Sequence, residues 1–202
     1  INLVSHELRT PLSIILSSAE ILEMQAANQF QKIPIATSKY LSRIISQVDK
    51  MTKLLNDFLL ISKIESGNLA LQLSSCNVVS ILHKVATESF MPYKDGRQLE
   101  VKTKGERKAQ IADSNMLHMI FENIISNAFK YSPNKRAPQA QIRFQKNKWT
   151  LLVVDAGIGI PEKYKRQLFT AFLRGSNVGS IEGTGLGLML VHYLVQQHLG
   201  QI

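Results

Sequence analysis

Two long apolar seams constrain this chain more than anything else in it. Ser5, Leu8, Leu12, Ile15, Ala19, Leu22 and Ala26 recur at alternating steps of three and four, and Leu41, Ile44, Val48, Met51, Leu55 and Phe58 repeat the pattern further on. That spacing places each set along one side of an α-helix. Ile45, Leu54 and Leu59 widen the second stripe. The pattern predicts a first helix, a polar connection at Ala27–Lys32, and a second helix from Pro34 to Ile64, folded back as an antiparallel hairpin. A lone hairpin with stripes this wide leaves apolar surface in water, so two copies are expected to pair into a four-helix bundle. The alternative is that the stripes pack on the rest of the chain.

His6 lies at a b position, outside the first seam, with Glu7 beside it and Thr10 one helical turn further on the same side. A core histidine would occupy the seam, whereas this imidazole is offered to a visitor. Pro11 removes a backbone donor about one turn later and is expected to loosen the helix there. A solitary His-Glu pair is usually only a solvated helix face, so the weight rests on the whole run Ser5-His6-Glu7-Leu8-Arg9-Thr10-Pro11-Leu12.

The 202 residues have room for one large domain or two small ones, and 45% apolar content suits globular structure. No apolar run approaches the roughly 18 residues that a membrane-spanning helix needs, and no signal peptide precedes the first motif. The sole cysteine, Cys76, excludes an internal disulfide and a thiolate metal cluster, and fits a packing role in a reducing compartment. The net charge of +9 is concentrated between residues 101 and 175, where 14 Lys/Arg face 5 Asp/Glu. Those charges lie scattered in mixed segments without zinc-finger spacing or a basic heptad region, so nucleic acid is not expected. A positive field that attracts an anionic ligand and an acidic partner protein explains them as well.

Ser62–Asn68 reads as a helix end followed by a turn, and sets a boundary between residues 1–66 and 67–202. Beyond it, Leu69–Leu73 and Leu99–Thr103 read as short strands, Val78–Ser89 and Met116–Tyr131 as helices, and Gln139–Phe144 with Trp149–Asp155 as strands paired around Gln145–Lys148. Mixed strands and helices with hairpin connections indicate an α+β sandwich.

Within the helix Met116–Tyr131, the residues Asn123, Asn127 and Lys130 share one face. Two carboxamides and an ammonium so arranged suit a hydrated Mg²⁺ and phosphate oxygens, although such residues are as often simply a wet helix side. Asp155-Ala156-Gly157-Ile158-Gly159-Ile160-Pro161 follows an apolar strand, and a carboxylate there suits the exocyclic amine of adenine. Gly183-Thr184-Gly185-Leu186-Gly187-Leu188 opens the final helix, where backbone N–H groups favour phosphate. Neither glycine segment is a Walker loop, because no Gly-Lys-Ser/Thr occurs, and neither completes the Rossmann fingerprint.

Taken in order, these segments resemble the conserved boxes of sensor histidine kinases. Ser5–Leu12 resembles the phosphoacceptor box. Asn123–Pro133 is similar to the N box shared with the GHKL-type ATPases, which include gyrase, mismatch-repair ATPases and the heat-shock chaperone. The segments at 155–161 and 183–188 resemble the G1 and G2 boxes, and Leu168–Gly175, with Arg174, the F box, leaving Ser176–Glu182 as a short ATP lid. Two departures stand out: Ala156 occupies a position often held by Asn, and after Gly200 the family usually continues through two further strands.

The resemblance implies an α+β chain: a helical hairpin forming a dimeric four-helix bundle at residues 1–66, then a GHKL-type α/β sandwich at 67–202. It implies a protein-histidine kinase using ATP and Mg²⁺, with adenine on Asp155 near Gly157 and Gly159. Mg²⁺ would be held by Asn123 and Asn127, and the phosphates by Lys130 and the backbone of Gly183, Thr184, Gly185, Leu186 and Gly187, with Tyr131 and Arg174 also among the nucleotide-binding residues. His6 would be the nucleophile, Glu7 its proton acceptor, and Thr10 the residue orienting water in a phosphatase reaction. The implied partners are a second copy of the chain and the receiver domain of a response regulator. The implied setting is the cytoplasmic part of a larger sensor, with no membrane contact by this stretch whether or not the parent chain is anchored. A pseudokinase or phosphatase-biased module of the same fold, and a mechanical GHKL-type ATPase, stay open at this stage.

Overall fold

The computed structural model describes residues 12–24, 35–90, 93, 95–146, 148–179, 181 and 183–202, with the side chains of 35–40 and 50 excepted. The segment holding His6, Glu7 and Thr10 lies outside the described residues. The chain divides into two compact units, Ile1–Leu69 and Ala70–Ile202.

The first unit is helical. Residues 12–24 form α1 and Ile35–Glu65 form the 31-residue α2. Ala19, Leu41 and Val48 from the expected seams are buried, with Ile61 and Ile64 further along α2. Ile15, Leu22, Ile44, Met51 and Phe58 from the same seams stand exposed. α2 ends in a Schellman motif: Gly67 takes φ +68°, its N–H donates to Ile64 O at 3.0 Å, and the Asn68 N–H reaches back to Lys63 O at 2.9 Å. These bonds satisfy carbonyls that the helix end would otherwise leave open.

In the second unit the order is β1 (Ser74–Cys76), α3 (Val78–Phe90), β2 (Glu100–Lys104), β3 (Gln110–Ala112), α4 (Ser114–Lys130), β4 (Gln139–Phe144), β5 (Trp149–Val154), α5 (Glu162–Lys165) and α6 (Gly187–Gln197). β1 and β3 form a two-stranded antiparallel sheet, and β2-β4-β5 a three-stranded mixed one. β2 runs parallel to β4, with α4 in the connection between them, and β4 pairs antiparallel with β5. The parallel pair needs a long crossover, and α4 supplies it.

Helix α4 packs against both α3 and α6, and α4 and α3 meet the mixed sheet at β5 and β2. Phe121, Ile125 and Phe129 on α4, Leu82 and Val85 on α3, Leu190 and Leu194 on α6, and Ala140 and Ile142 on β4 are almost fully buried. Phe121 meets the Trp149 ring edge-on at 6.2 Å. A row of buried apolar side chains along one side of α4 leaves its other side for Asn123, Asn127 and Lys130, and this division determines where the polar site forms.

Two expectations need correction. Leu69–Leu73 is not a strand: the Gln72 N–H goes to the Asp113 carboxylate at 2.9 Å instead of a sheet ladder. The strand lies at Ser74–Cys76, paired with β3, whose three residues are too short to show a periodicity. The expected strands at 99–103 and 149–155 sit at Glu100–Lys104 and Trp149–Val154.

Candidate nucleotide site

The cavity of about 300 Å³ in the second unit lies where α4, the end of β5 and the loops around α5 and α6 converge. Asn127 and Tyr131 of α4 line it, together with Asp155, Gly159 and Arg174. Val153, Ile158, Ile160, Leu168, Leu173 and Leu188 make most of its wall apolar. An apolar slot with few convergent polar groups is what a planar purine requires.

Each polar member has a local reason for its position. Asp113 caps α4: its Oδ1 accepts the N–H groups of Asn115 at 3.0 Å and Met116 at 3.1 Å. The Asp113 N–H in turn donates to His198 Nε2 at 3.1 Å, while His198 Nδ1 lies 2.8 Å from Leu194 O. Since that carbonyl can only accept, the ring proton sits on Nδ1. α4 is thereby tied to the end of α6.

At the other end of α4, Tyr131 O accepts the Ile158 N–H at 3.1 Å. The Gly157 N–H donates to Asp155 Oδ1 at 2.8 Å. A Cβ on Gly157 would meet Tyr131 O, and would lie 2.7 Å from Asp155 Oδ1. One oxygen of Asp155 is therefore fixed by its own turn, and its side chain is aimed by contact between residues 155–158 and the last turn of α4.

The segment Gly183–Gly187 comes against the polar side of α4. A Cβ on Gly183 would lie 2.5 Å from Lys130 Nζ, and one on Gly187 2.8 Å from Asn123 Oδ1. Asn123 donates its Nδ2 to Met119 O at 2.9 Å, which turns its oxygen toward Gly187. α6 begins at Gly187, and its N-cap residue, Leu186, supplies no side-chain cap to the first N–H groups. Leu186 is 2% exposed and packs in the core, its N–H donating to Thr184 Oγ1 at 3.2 Å. Any contact Leu186 makes with a ligand is through backbone, not side chain.

The sequence reading missed Tyr164 and Asn177, which also line the cavity. The Asn177 Nδ2 donates to Gly159 O at 3.0 Å, pinning residues 175–178 to the 155–159 turn. Tyr164 is paired with Ser176, and that hydrogen bond draws its hydroxyl below the ordinary tyrosine pKa. The only sequence signal for Asn177 was its position in the 176–182 lid, and Tyr164, ahead of the F box, had none. Phe172 N–H donates to Gly185 O at 3.1 Å, joining the F-box loop to the glycine segment, while Phe169 stacks on His192 at 4.5 Å.

The basic excess divides between the two ends of the sheet. Lys104, Arg107, Lys108, Arg143, Lys146 and Lys148 are exposed around the ends of β2 and β4 and the β4–β5 hairpin. Asp155 follows the opposite end of β5. That part of the charge does not surround the cavity and leaves an exposed basic surface at the far end of the sheet. Among the described residues no helix is long and apolar enough to cross a membrane, and no cluster of three or more His, Cys, Asp or Glu could hold a metal ion.

Comparison with known proteins agrees with this layout. The His Kinase A (phospho-acceptor) domain family matches residues 1–67, and the Histidine kinase-, DNA gyrase B-, and HSP90-like ATPase family matches residues 112–202. The chain is 31% identical to Sensor protein kinase WalK of Staphylococcus saprophyticus, over 98% of its own length and 32% of the relative's. It is 29% identical to Hybrid signal transduction histidine kinase D of Dictyostelium discoideum, over 98% of its length and 13% of that protein's. The chain thus spans a third or less of these relatives. Among solved structures, ShkA full-length in complex with AMPPNP superposes with a TM-score of 0.74 at 24% identity, over 96% of this chain and 40% of that one. The Acinetobacter baumannii histidine kinase AdeS gives 0.61 at 24% identity, over 95% and 86%. With a phosphoacceptor domain followed by an ATPase domain, and with Asn127, Asp155 and Gly159 around one cavity, the chain belongs to the two-component sensor histidine kinases as the core of such a protein.

Proposed function

We propose that this chain is an ATP-dependent, self-phosphorylating histidine kinase whose phosphoryl group passes from His6 to an aspartate on the receiver domain of a response regulator. The observation that carries the reading is the cavity beside Asp155. Its apolar walls suit a purine, Asn127 and Leu188 carry its lining from α4 to α6, and Asn123 on the same side of α4 meets Gly187 at the start of α6. Asn127 borders the cavity, while Lys130 and Asn123 on the same side of α4 approach Gly183 and Gly187, the segment offered to the phosphates.

In this reading residues 1–66 are the dimerisation and phosphotransfer hairpin, and 67–202 the ATP-binding domain. Asp155 accepts the adenine amine, with Gly157 and Gly159 keeping backbone close to the ring and Tyr131 and Arg174 at its border. Lys130 and the backbone of Gly183, Thr184, Gly185, Leu186 and Gly187 face the phosphates. The carboxamide oxygens of Asn123 and Asn127 are hard donors of the kind Mg²⁺ accepts alongside water, and the orientation of Asn123 Oδ1 fits that role. When bound, Mg²⁺ neutralises phosphate charge. A neutral nitrogen of His6 attacks the γ-phosphorus in line as the bond to ADP breaks, and Glu7 takes the proton from the other ring nitrogen. Such transfer depends on positioning and charge neutralisation more than on covalent assistance. Thr10 orients a water against the phosphorylated regulator, giving the chain a phosphatase activity as well.

Incubation with γ-labelled ATP and Mg²⁺ tests this directly. The expected result is protein-bound label that is lost in acid and stable in base, absent from His6→Ala although that variant still binds ATP. Label retained by His6→Ala refutes the assignment. Asn127→Ala is expected to lose Mg²⁺-dependent ATP binding, and unchanged affinity removes its role as a metal ligand.

A further inference from the structure

Arg97 lies outside the cavity, yet its guanidinium holds the part of α4 on which the cavity depends. Its Nη1 donates to Ser132 O at 2.7 Å and Ser132 Oγ at 3.0 Å, and its Nη2 donates to Phe129 O at 3.1 Å. Its central carbon lies over the rings of Phe129 at 5.2 Å and Tyr93 at 5.7 Å. Asp95 aims it from the surface, accepting its Nε at 2.7 Å. Only 12% of the Arg97 side chain is exposed, and Ser132 is fully buried.

The residues that Arg97 grips stand on both sides of Tyr131. Tyr131 O is the acceptor for the Ile158 N–H, and it is the atom against which Gly157 packs. A cation among the last carbonyls of a helix also opposes the helix dipole. A lysine, with one compact ammonium, does not reproduce a planar fork bonded to two carbonyls and set over two rings.

We infer that Arg97 is a positioning residue for the nucleotide pocket: by clamping Phe129 and Ser132 it holds the Tyr131 carbonyl in place, and through that carbonyl sets the turn that presents Asp155. The consequence for nucleotide choice rests on the reading of Asp155 as the adenine acceptor.

The test is amide hydrogen exchange combined with nucleotide affinity in Arg97→Lys. Ile158 N–H exchange is expected to accelerate about fivefold, the size of a typical coupling between linked groups. The amides of Ala140 and Ile142 on the central strand should keep wild-type rates. ATP affinity should fall about fivefold, with inosine triphosphate, which lacks the exocyclic amine, affected less. Asp95→Ala, which removes only the surface carboxylate, should show the same pattern at smaller amplitude and decides the matter if Arg97→Lys does not fold. Unchanged Ile158 exchange, or equal acceleration at Ile158, Ala140 and Ile142, overturns the inference, since either outcome reduces Arg97 to general stabilisation. Asp155→Asn separates the two readings: if it leaves the preference for ATP over inosine triphosphate intact, the adenine assignment fails while the exchange data still decide the role of Arg97.

Discussion

Replacing Gly157 by alanine tests the pocket at its narrowest point. Three atoms lie within 3 Å of the position that the new Cβ would take: Tyr131 O, Asp155 Oδ1 at 2.7 Å and Tyr131 C at 2.9 Å. Two of them are backbone, so no side-chain rotation relieves the clash, and the turn must move away from α4. That movement breaks the Ile158 N–H to Tyr131 O bond and disturbs the Gly157 N–H to Asp155 bond. Each hydrogen bond contributes about 1 kcal/mol net, and forcing an extra carbon into a filled space costs about 1–3 kcal/mol.

If about 2 kcal/mol of this total falls on the bound geometry of Asp155, ATP affinity drops roughly thirtyfold. Gly159→Ala is the control. Gly159 has φ +67° but nothing within 4 Å of its missing Cβ. Its substitution meets backbone strain of about 1–2 kcal/mol without a clash inside the protein, so its melting temperature calibrates the strain and its affinity reads only what the new methyl does at the ring. Calorimetric titration with ATP and thermal melting of both variants give the comparison. Gly157→Ala binding within twofold of wild type, with a larger loss in Gly159→Ala, would refute the account of how the turn is held.

Dimerisation is tested better at Met51 than at Val48. Val48 is already buried within one chain, so a charge there disrupts the unit itself, whereas Met51 is 54% exposed. Met51→Glu should keep helicity by circular dichroism and weaken self-association more than a hundredfold, from about 2 kcal/mol lost on each side of a symmetric interface; a wild type that is monomeric by light scattering at micromolar concentration ends this claim. Thr10→Ala should leave self-phosphorylation intact and slow dephosphorylation of a partner regulator, while equal losses in both rates would point to a structural hydroxyl beside Pro11. Burial pushes the Cys76 thiol above the ordinary cysteine pKa, with the nearby Asp113 charge adding to the effect and a hydrogen bond to the Ala112 backbone opposing it. The folded state thus favours the neutral thiol, a preference that stabilises below the unfolded thiol pKa and is lost as pH rises through the folded one. Alkylation of native protein should lag behind that of urea-unfolded protein at pH 8, and faster labelling of the folded form would contradict the burial.

How far the sequence revealed this protein depended on the length of each signal. α2 was legible because six seam residues repeat over many turns, and α4 because its apolar and polar sides are both populated along seventeen residues. The β4–β5 pair was legible from two six-residue runs around a polar turn. β1 and β3 have three residues each and hold together through long-range pairing, Ser74 with Ala112 and Cys76 with Gln110. No local pattern encodes such a partnership, and the more apolar Leu69–Leu73 attracted the strand assignment instead. The four-residue α5 was missed for the same reason.

The site divides along the same line. Asn127, Tyr131, Asp155, Gly159 and Arg174 could be named because each lies in a short segment whose residue types are demanded by chemistry, and all five border one cavity. Arg97 could not be named, because nothing in Asp95-Gly96-Arg97 hints at the carbonyls it meets some 35 residues later. Its bonds depend on the end of α4 arriving beside the Tyr93–Arg97 turn, where Tyr93 and Arg97 are themselves bonded through backbone at 3.1 Å. Residues that touch a ligand tend to carry motif chemistry, while residues that hold those residues are chosen by packing and helix-end electrostatics. The second class becomes visible only when the fold is known, and here it joins a guanidinium outside the pocket to the carboxylate within it through one carbonyl of Tyr131.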